Sequence, residues 1–232
     1  MRALALILAC ALPGAVAAAD CRLALLLALD VSSSVDDDEY LLQVEGVADA
    51  LMSTDVQAAI LAGGGGAVAL SVYEWSGRYQ STVILDWRLL ERAEDIAAAA
   101  QTLRQARRTY ENFPTALGYA LGFGAGHLRK APPCARRVID VSGDGITNDG
   151  FWPQLAYAHF PFEGVTVNGL AVLGADPDVL DHYMDEVRRG PGAFVETAPG
   201  FEGFARAMER KLYREIENRI VGGHPAADTP PG

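Results

Sequence analysis

The stretch LALLLALDVSSS, residues 23–34, decides the fold. From Leu23 to Leu29 no side chain is polar, and the run ends at Asp30. A strand with one wet face alternates apolar and polar residues, whereas an unbroken apolar run reads as a central strand buried on both faces. Such strands belong to parallel sheets covered by helices on either side. The next segment supplies such a helix. From Asp36 to Met52, Tyr40, Leu41, Val44, Val47, Ala48 and Leu51 recur at helical spacing. Asp36, Asp37, Asp38 and Glu39 fill its first turn, where the helix dipole favours negative charge, so this acidic cluster is assigned to the helix and not to a metal.

The same alternation continues along the chain. Strands are expected at 67–75 and 81–87, and the short link 76–80 makes them a hairpin, with the second an antiparallel edge. Helices are expected at 93–106 and 115–128, a strand at 137–141, and a helix around 152–159. A strand at 165–172, a helix at 177–187, a short strand at 193–195 and a helix at 201–220 complete the pattern. The fold class is therefore α/β, doubly wound, with a mostly parallel central sheet, one antiparallel edge strand and helices on both faces. Gly63 to Gly66 form a turn without the Lys-Ser/Thr that a phosphate loop needs.

The ends read differently. Arg2, an apolar run from Ala3 to Leu12, a Pro13-Gly14 break and Ala17-Ala18-Ala19 have the layout of a secretory signal peptide over residues 1–19. The run is shorter than the ~20 residues a membrane span needs. No second long apolar segment occurs, so no transmembrane segment is expected. One domain then covers 20–221, and the Pro-, Ala- and Gly-rich stretch 222–232 reads as a disordered tail. The 232 residues carry a formal charge of −11, and loss of Arg2 makes the mature chain one unit more negative. With no basic run to neutralise phosphates, nucleic acid is excluded as a partner.

In open α/β sheets ligands bind beyond the carboxyl ends of the strands. Asp30 and Asp144 stand at two such ends, Ser32 and Ser34 follow Asp30 at alternate positions, and Thr115 opens a helix after the Asn112-Phe113-Pro114 turn. Two carboxylates and three hydroxyls thus converge on one edge. Hard oxygen donors without His or Cys suit Mg²⁺, Mn²⁺ or Ca²⁺ and not zinc. Glu74, Thr147, Asn148 and Asp149 lie near the same edge, where turn and cap roles are expected for the last three, and Trp75 is expected in the core. His127, His159, His182 and His224 show no ligand spacing. There is no G-x-S-x-G elbow, and no general-base histidine accompanies the aspartates, so no catalytic residue is assigned and the protein is not read as an enzyme.

The set Asp30-x-Ser32-x-Ser34, Thr115 and Asp144-Gly145 resembles the metal-ion-dependent adhesion site (MIDAS) of von Willebrand A and integrin I domains. The segments EWSG (74–77), RRVIDVSGDG (136–145), NGLAVL (168–173) and GPGAFV (190–195) are similar to a bacterial secreted family known as domain of unknown function 1194. Thr115 departs from the family's Gly-Gly-Thr-x-Thr-Gly context, standing here in Phe-Pro-Thr-Ala-Leu-Gly. The resemblance implies that Ser32, Ser34 and Thr115 hold the cation and that Asp30 and Asp144 mostly hold its waters. A carboxylate from a partner protein then completes the shell. It implies a periplasmic or secreted, cation-dependent, adhesion-type binding module. The alternatives are an accessory or assembly factor of an envelope complex, and a metal-dependent hydrolase. Under the A-domain strand order, Cys21 and Cys134 fall at the amino-terminal edge of neighbouring parallel strands, nine residues before Asp30 and ten before Asp144. Export makes a Cys21–Cys134 disulfide the expectation, with irregular backbone at Arg22 or Arg136 absorbing the one-residue offset.

Overall fold

The computed structural model describes residues 21–62 and 66–217. The expected signal peptide and tail, most of the expected Gly63–Gly66 turn and the last three residues of the expected final helix lie outside them. Strand β1 (Cys21–Asp30) sits inside a six-stranded sheet with β2 (Ala67–Trp75), β3 (Ser81–Leu90), β4 (Cys134–Gly143), β5 (Val165–Val172) and β6 (Val195–Ala198). The order is β3-β2-β1-β4-β5-β6. Every neighbouring pair is parallel except β2–β3.

The apolar run of β1 now has its cause. Leu23, Leu25, Leu27 and Leu29 face a core shared with α1 (Asp37–Met52), α2 (Thr54–Leu61), α3 (Ala93–Arg104) and α7 (Phe204–Glu217). Ala24, Leu26 and Ala28 face a second core under α4 (Leu117–Leu128), α5 (Pro153–His159), α6 (Val179–His182) and the π-turn Tyr183–Val187. Both faces are dry, so no position in the run tolerates a polar side chain without a partner.

The acidic start of α1 is a capping box. Asp36 accepts from the Glu39 amide at 2.8 Å, and Glu39 accepts from the Asp36 amide at 2.9 Å. Several elements differ from the sequence expectation, β4 among them, which starts three residues early at Cys134. Helix α2 begins directly after α1, with Ser53 closing one helix and capping the next, so no gap in the periodicity announces it. Strand β3 runs three residues past 87. The expected helix 177–187 is one short α-helical turn followed by a π-turn. Strand β6 begins two residues late, because Gly190 (φ 94°) and Gly192 (φ 69°) hold the preceding chain in a turn.

The disulfide joins Cys21 to Cys134 across a Cα–Cα distance of 4.5 Å. These residues are register partners, and the β1–β4 ladder is regular from there to Leu29 and Ser142. No irregular lead-in is needed. The one-residue offset is taken up at the other end, where Asp144 lies one position beyond β4.

One buried feature was not anticipated. Lys211 on α7 places Nζ 2.7 Å from both Asp140 Oδ1 on β4 and Glu215 Oε1. Asn168 Nδ2 donates to the same Glu215 oxygen at 2.7 Å. Two buried carboxylates share one ammonium, and burial, then the Glu215 charge, pushes the Asp140 carboxyl up.

Candidate cation site

The carboxyl edge of β1 is stitched from three loops. Asp30 ends the strand; its Oδ1 accepts the Ser32 amide at 2.8 Å, while Gln43 of α1 donates to its backbone carbonyl at 2.8 Å. That bond turns the Ser loop back over the strand end. The loop 105–116 returns alongside, with the Ser33 amide donating to Phe113 O at 2.8 Å. Asn112 takes φ 59° there, a left-handed conformation that Asn tolerates better than most residues. The loop after β4 closes the third side through Asn148 N to Thr115 O at 3.0 Å.

The five residues singled out as ligands come together. Ser32 Oγ is the hub: Thr115 Oγ1 donates to it at 3.2 Å, and Ser34 Oγ lies 3.3 Å away. Ser34 Oγ donates to Asp144 Oδ1 at 2.7 Å. Asp30, Ser32, Thr115 and Asp144 are buried, and Ser34 is exposed at the mouth. Thr115 does not open α4 as expected. It stands two residues before the helix, which leaves its hydroxyl directed across the loop instead of capping.

The electrostatics show an arrangement short of positive charge. Burial, then the charge of Asp144, pushes Asp30 up to about 8. Burial also raises Asp144, opposed by the Ser34 hydroxyl. Asp30 Oδ2 and Asp144 Oδ2 are buried and have no hydrogen-bond partner. Two unsatisfied carboxylate oxygens beside three hydroxyls fit a hard divalent cation. Among the described residues no three His, Cys, Asp or Glu side chains are grouped to hold a metal. Any cation here would therefore depend on the hydroxyls.

Not every supporting residue carried a sequence signal. Arg108 donates to the carbonyls of Val31 (3.2 Å), Ser32 (3.2 Å) and Val35 (2.6 Å), pinning the Ser loop from below. It lies in a polar stretch without periodicity, so nothing marked it. Asn148, expected as a turn or cap, instead accepts the Thr115 amide on Oδ1 at 2.8 Å. Asp149 pairs with Arg78 at 2.7 Å. Thr147 donates its amide to His182 Nε2 at 3.3 Å, which fixes that nitrogen as an acceptor. Glu74 is turned inward, accepting from Tyr40 Oη at 2.6 Å and the Thr109 amide at 3.1 Å. Trp75 lies fully in the core, as expected.

On the β3 side, His127 Nε2 lies 3.0 Å from Ser71 Oγ. The pair does not have the geometry of a nucleophile and base. Ser71 is buried and donates to Leu85 O at 2.7 Å, and Asp86 Oδ1 lies 3.8 Å from the same imidazole nitrogen that faces the serine.

Residues 20–220 match the family described as "Protein of unknown function (DUF1194)". No curated protein matches the chain. Solved structures do. Proximal thread matrix protein 1 from the mussel byssus, in a form described with a zinc-occupied MIDAS motif, aligns with TM-score 0.57 at 18% identity over 85% of this chain and 48% of that one. A von Willebrand factor type A protein from Catenulispora acidiphila gives 0.57 at 16% identity, over 84% and 43%. The open conformation of the pilus adhesin SpaC from Lactobacillus rhamnosus GG gives 0.59 at 14% identity, over 85% and 30%. The chain thus spans half or less of these proteins. At such identities they establish the fold, which is that of a von Willebrand A domain.

Proposed function

We infer that this chain, which belongs to the DUF1194 family, is an exported protein-binding module that grips its partner through a divalent cation at the carboxyl edge of β1. The observation that carries the reading is Ser32 Oγ at the centre of a hydroxyl network, with Thr115 at 3.2 Å and Ser34 at 3.3 Å, between two buried aspartates whose outer oxygens have no partner. Ser32, Ser34 and Thr115 are the residues that would hold Mg²⁺ or Mn²⁺, with Asp30 and Asp144 beneath them. A cation bound there supplies an electrophilic position for an incoming carboxylate. The chain's own groups prepare that position. Neutral hydroxyls in the proposed ligand set leave positive character uncancelled, and Arg108 holds the Ser loop through the carbonyls of Val31, Ser32 and Val35.

The mussel protein's zinc-occupied MIDAS motif and the pilus adhesin among the structural relatives support this direction. Export is supported by the layout of residues 1–19 and by the Cys21–Cys134 disulfide, which suits an oxidising compartment. Among the described residues no helix is long and apolar enough to cross a membrane. We read the partner as a protein offering an Asp or Glu side chain. Because the chain is strongly acidic, long-range steering opposes such a partner, and one short carboxylate–cation contact carries the binding. A role as an assembly factor of an envelope complex uses the same site and differs only in the partner.

The test is co-precipitation from cell-envelope extract with Mg²⁺, with chelator and with added NaCl. The expected result is loss in chelator at every salt concentration, and retention or strengthening in moderate NaCl as repulsion is screened. A partner kept in chelator but lost in salt would overturn the reading.

A further inference from the structure

Among the described residues, the buried oxygens without a hydrogen-bond partner include Asp30 Oδ2, Asp144 Oδ2 and Tyr183 Oη. Two belong to the aspartates of the cation site. The third arrives on the face of the sheet lined by Ala24, Leu26 and Ala28, through two backbone features. The helix after β5 loosens at Tyr183 into a π-turn, closed by the Arg188 amide on Tyr183 O at 3.0 Å, and this turn carries the fully buried Tyr183. Turns of this type inside helices are concentrated at functional sites. The sheet beneath the ring is cleared by glycines on two adjacent strands. A β-carbon on Gly169 would lie 2.6 Å from Tyr183 Cδ1, and one on Gly143 would lie 2.7 Å from both Tyr183 Oη and Asp30 Oδ2. The phenol oxygen and the Asp30 carboxylate therefore share the space over Gly143. Asp30 Oδ1 already accepts the Ser32 amide, so the oxygen beside the phenol is the unpartnered one.

We propose that Tyr183 is a positioning residue of the cation site: the two neighbouring oxygens are each unpartnered in the structure, and cation binding closes the pair, the phenol donating to Asp30 Oδ2 so that it and the Ser32 amide together fix the carboxylate beneath the cation. This rests on the cation-binding reading above. Burial, then the charges of Asp30, Asp144 and Asp140, pushes the phenol well above its ordinary value, so it keeps its proton and acts as a donor. A tyrosine that merely filled the core would have no use for a hydroxyl in this place, since phenylalanine fills the same volume without burying a polar atom.

The probe is Mn²⁺ added to the purified mature chain, with binding followed by electron paramagnetic resonance and Tm read with and without the ion. Tyr183→Phe is expected to weaken Mn²⁺ about tenfold or more, the usual loss for an outer-layer partner of a metal site. Its metal-free Tm should stay level or rise, while the increase in Tm brought by Mn²⁺ shrinks. Gly143→Ala, which forces the two oxygens apart, should lose Mn²⁺ affinity as well. Tyr157→Phe removes a hydroxyl that donates to Val187 O and should leave Mn²⁺ affinity unchanged. If Tyr183→Phe binds Mn²⁺ within twofold of wild type, or lowers Tm equally with and without the ion, the positioning role is overturned while the cation site stands. If the wild type itself takes up no Mn²⁺, the site reading falls and this inference with it.

Discussion

Cation binding should release a proton, and the structure sets the pH at which this shows. Burial, then the nearby charge of Asp144, raises Asp30 to about 8, so around neutrality its carboxyl still holds a proton that a cation must displace. With that value the carboxylate form makes up about 1% of the metal-free protein at pH 6, about 10% at pH 7 and about 50% at pH 8. If only the carboxylate form binds, the apparent association constant for Mn²⁺ rises about tenfold from pH 6 to 7 and about fivefold from 7 to 8, then levels off. Near pH 7 about 0.9 proton leaves per ion bound. Asp144 is raised as well and works in the same direction. Calorimetry in buffers of different ionisation enthalpy measures both quantities. The sign for stability comes from the same shift. A folded-state value above the ordinary 3.8 means that stability present at low pH is lost from the metal-free protein as pH rises through about 8. The difference in Tm between loaded and chelated protein should therefore widen with pH. A Mn²⁺ affinity flat between pH 6 and 8, with no proton released, would refute the reasoning.

Asp30→Ala and Ser32→Ala should each abolish Mg²⁺ and Mn²⁺ binding with the far-ultraviolet circular dichroism unchanged; undiminished binding in both would place the site elsewhere. Opening the Cys21–Cys134 bridge, which spans a sequence separation of 113, should cost about 5 kcal/mol by the loop-entropy estimate and lower Tm by about 10 °C or more. A shift under about 3 °C in a Cys21→Ser/Cys134→Ser variant would contradict it. Lys211→Met leaves Asp140 and Glu215 buried without their cation and should destabilise by about 3–5 kcal/mol in denaturant titration. Because burial and the Glu215 charge push the Asp140 carboxyl up, and loss of Lys211 pushes it further, that loss should be smaller at pH 5 than at pH 9. Protein recovered from periplasm or medium should begin at or near Asp20 by amino-terminal sequencing, and an intact Met1 in a cytosolic fraction would remove the export reading.

Much of the fold was legible because the features that specify it are local or periodic. Seven apolar residues with no wet position leave β1 only one environment, and the link 76–80 is too short for anything but a hairpin. Ligand types and their sequence separation marked Asp30, Ser32, Ser34, Thr115 and Asp144 as one set, because strand ends of a parallel sheet lie along one edge. The register of the disulfide was not legible. Counting from the aspartates placed the cysteines one residue out of step, since nothing in the chain says that β4 ends at Gly143 and not at Asp144.

What tertiary structure alone decided are the partners of buried polar groups. Asp140 interrupts an apolar strand, and its reason is Lys211, on a helix that comes after two more strands. Arg108 looks like any exposed arginine until the Ser loop folds over it and offers three carbonyls. Tyr183 reads as one more apolar position of a helix, and only the π-turn and the bare backbone at Gly143 and Gly169 bring its hydroxyl to the aspartates. Burial of apolar surface is non-directional and leaves a pattern in the chain. A hydrogen bond or ion pair between distant segments depends on a few ångströms of relative placement, and that distance is written only in the folded protein.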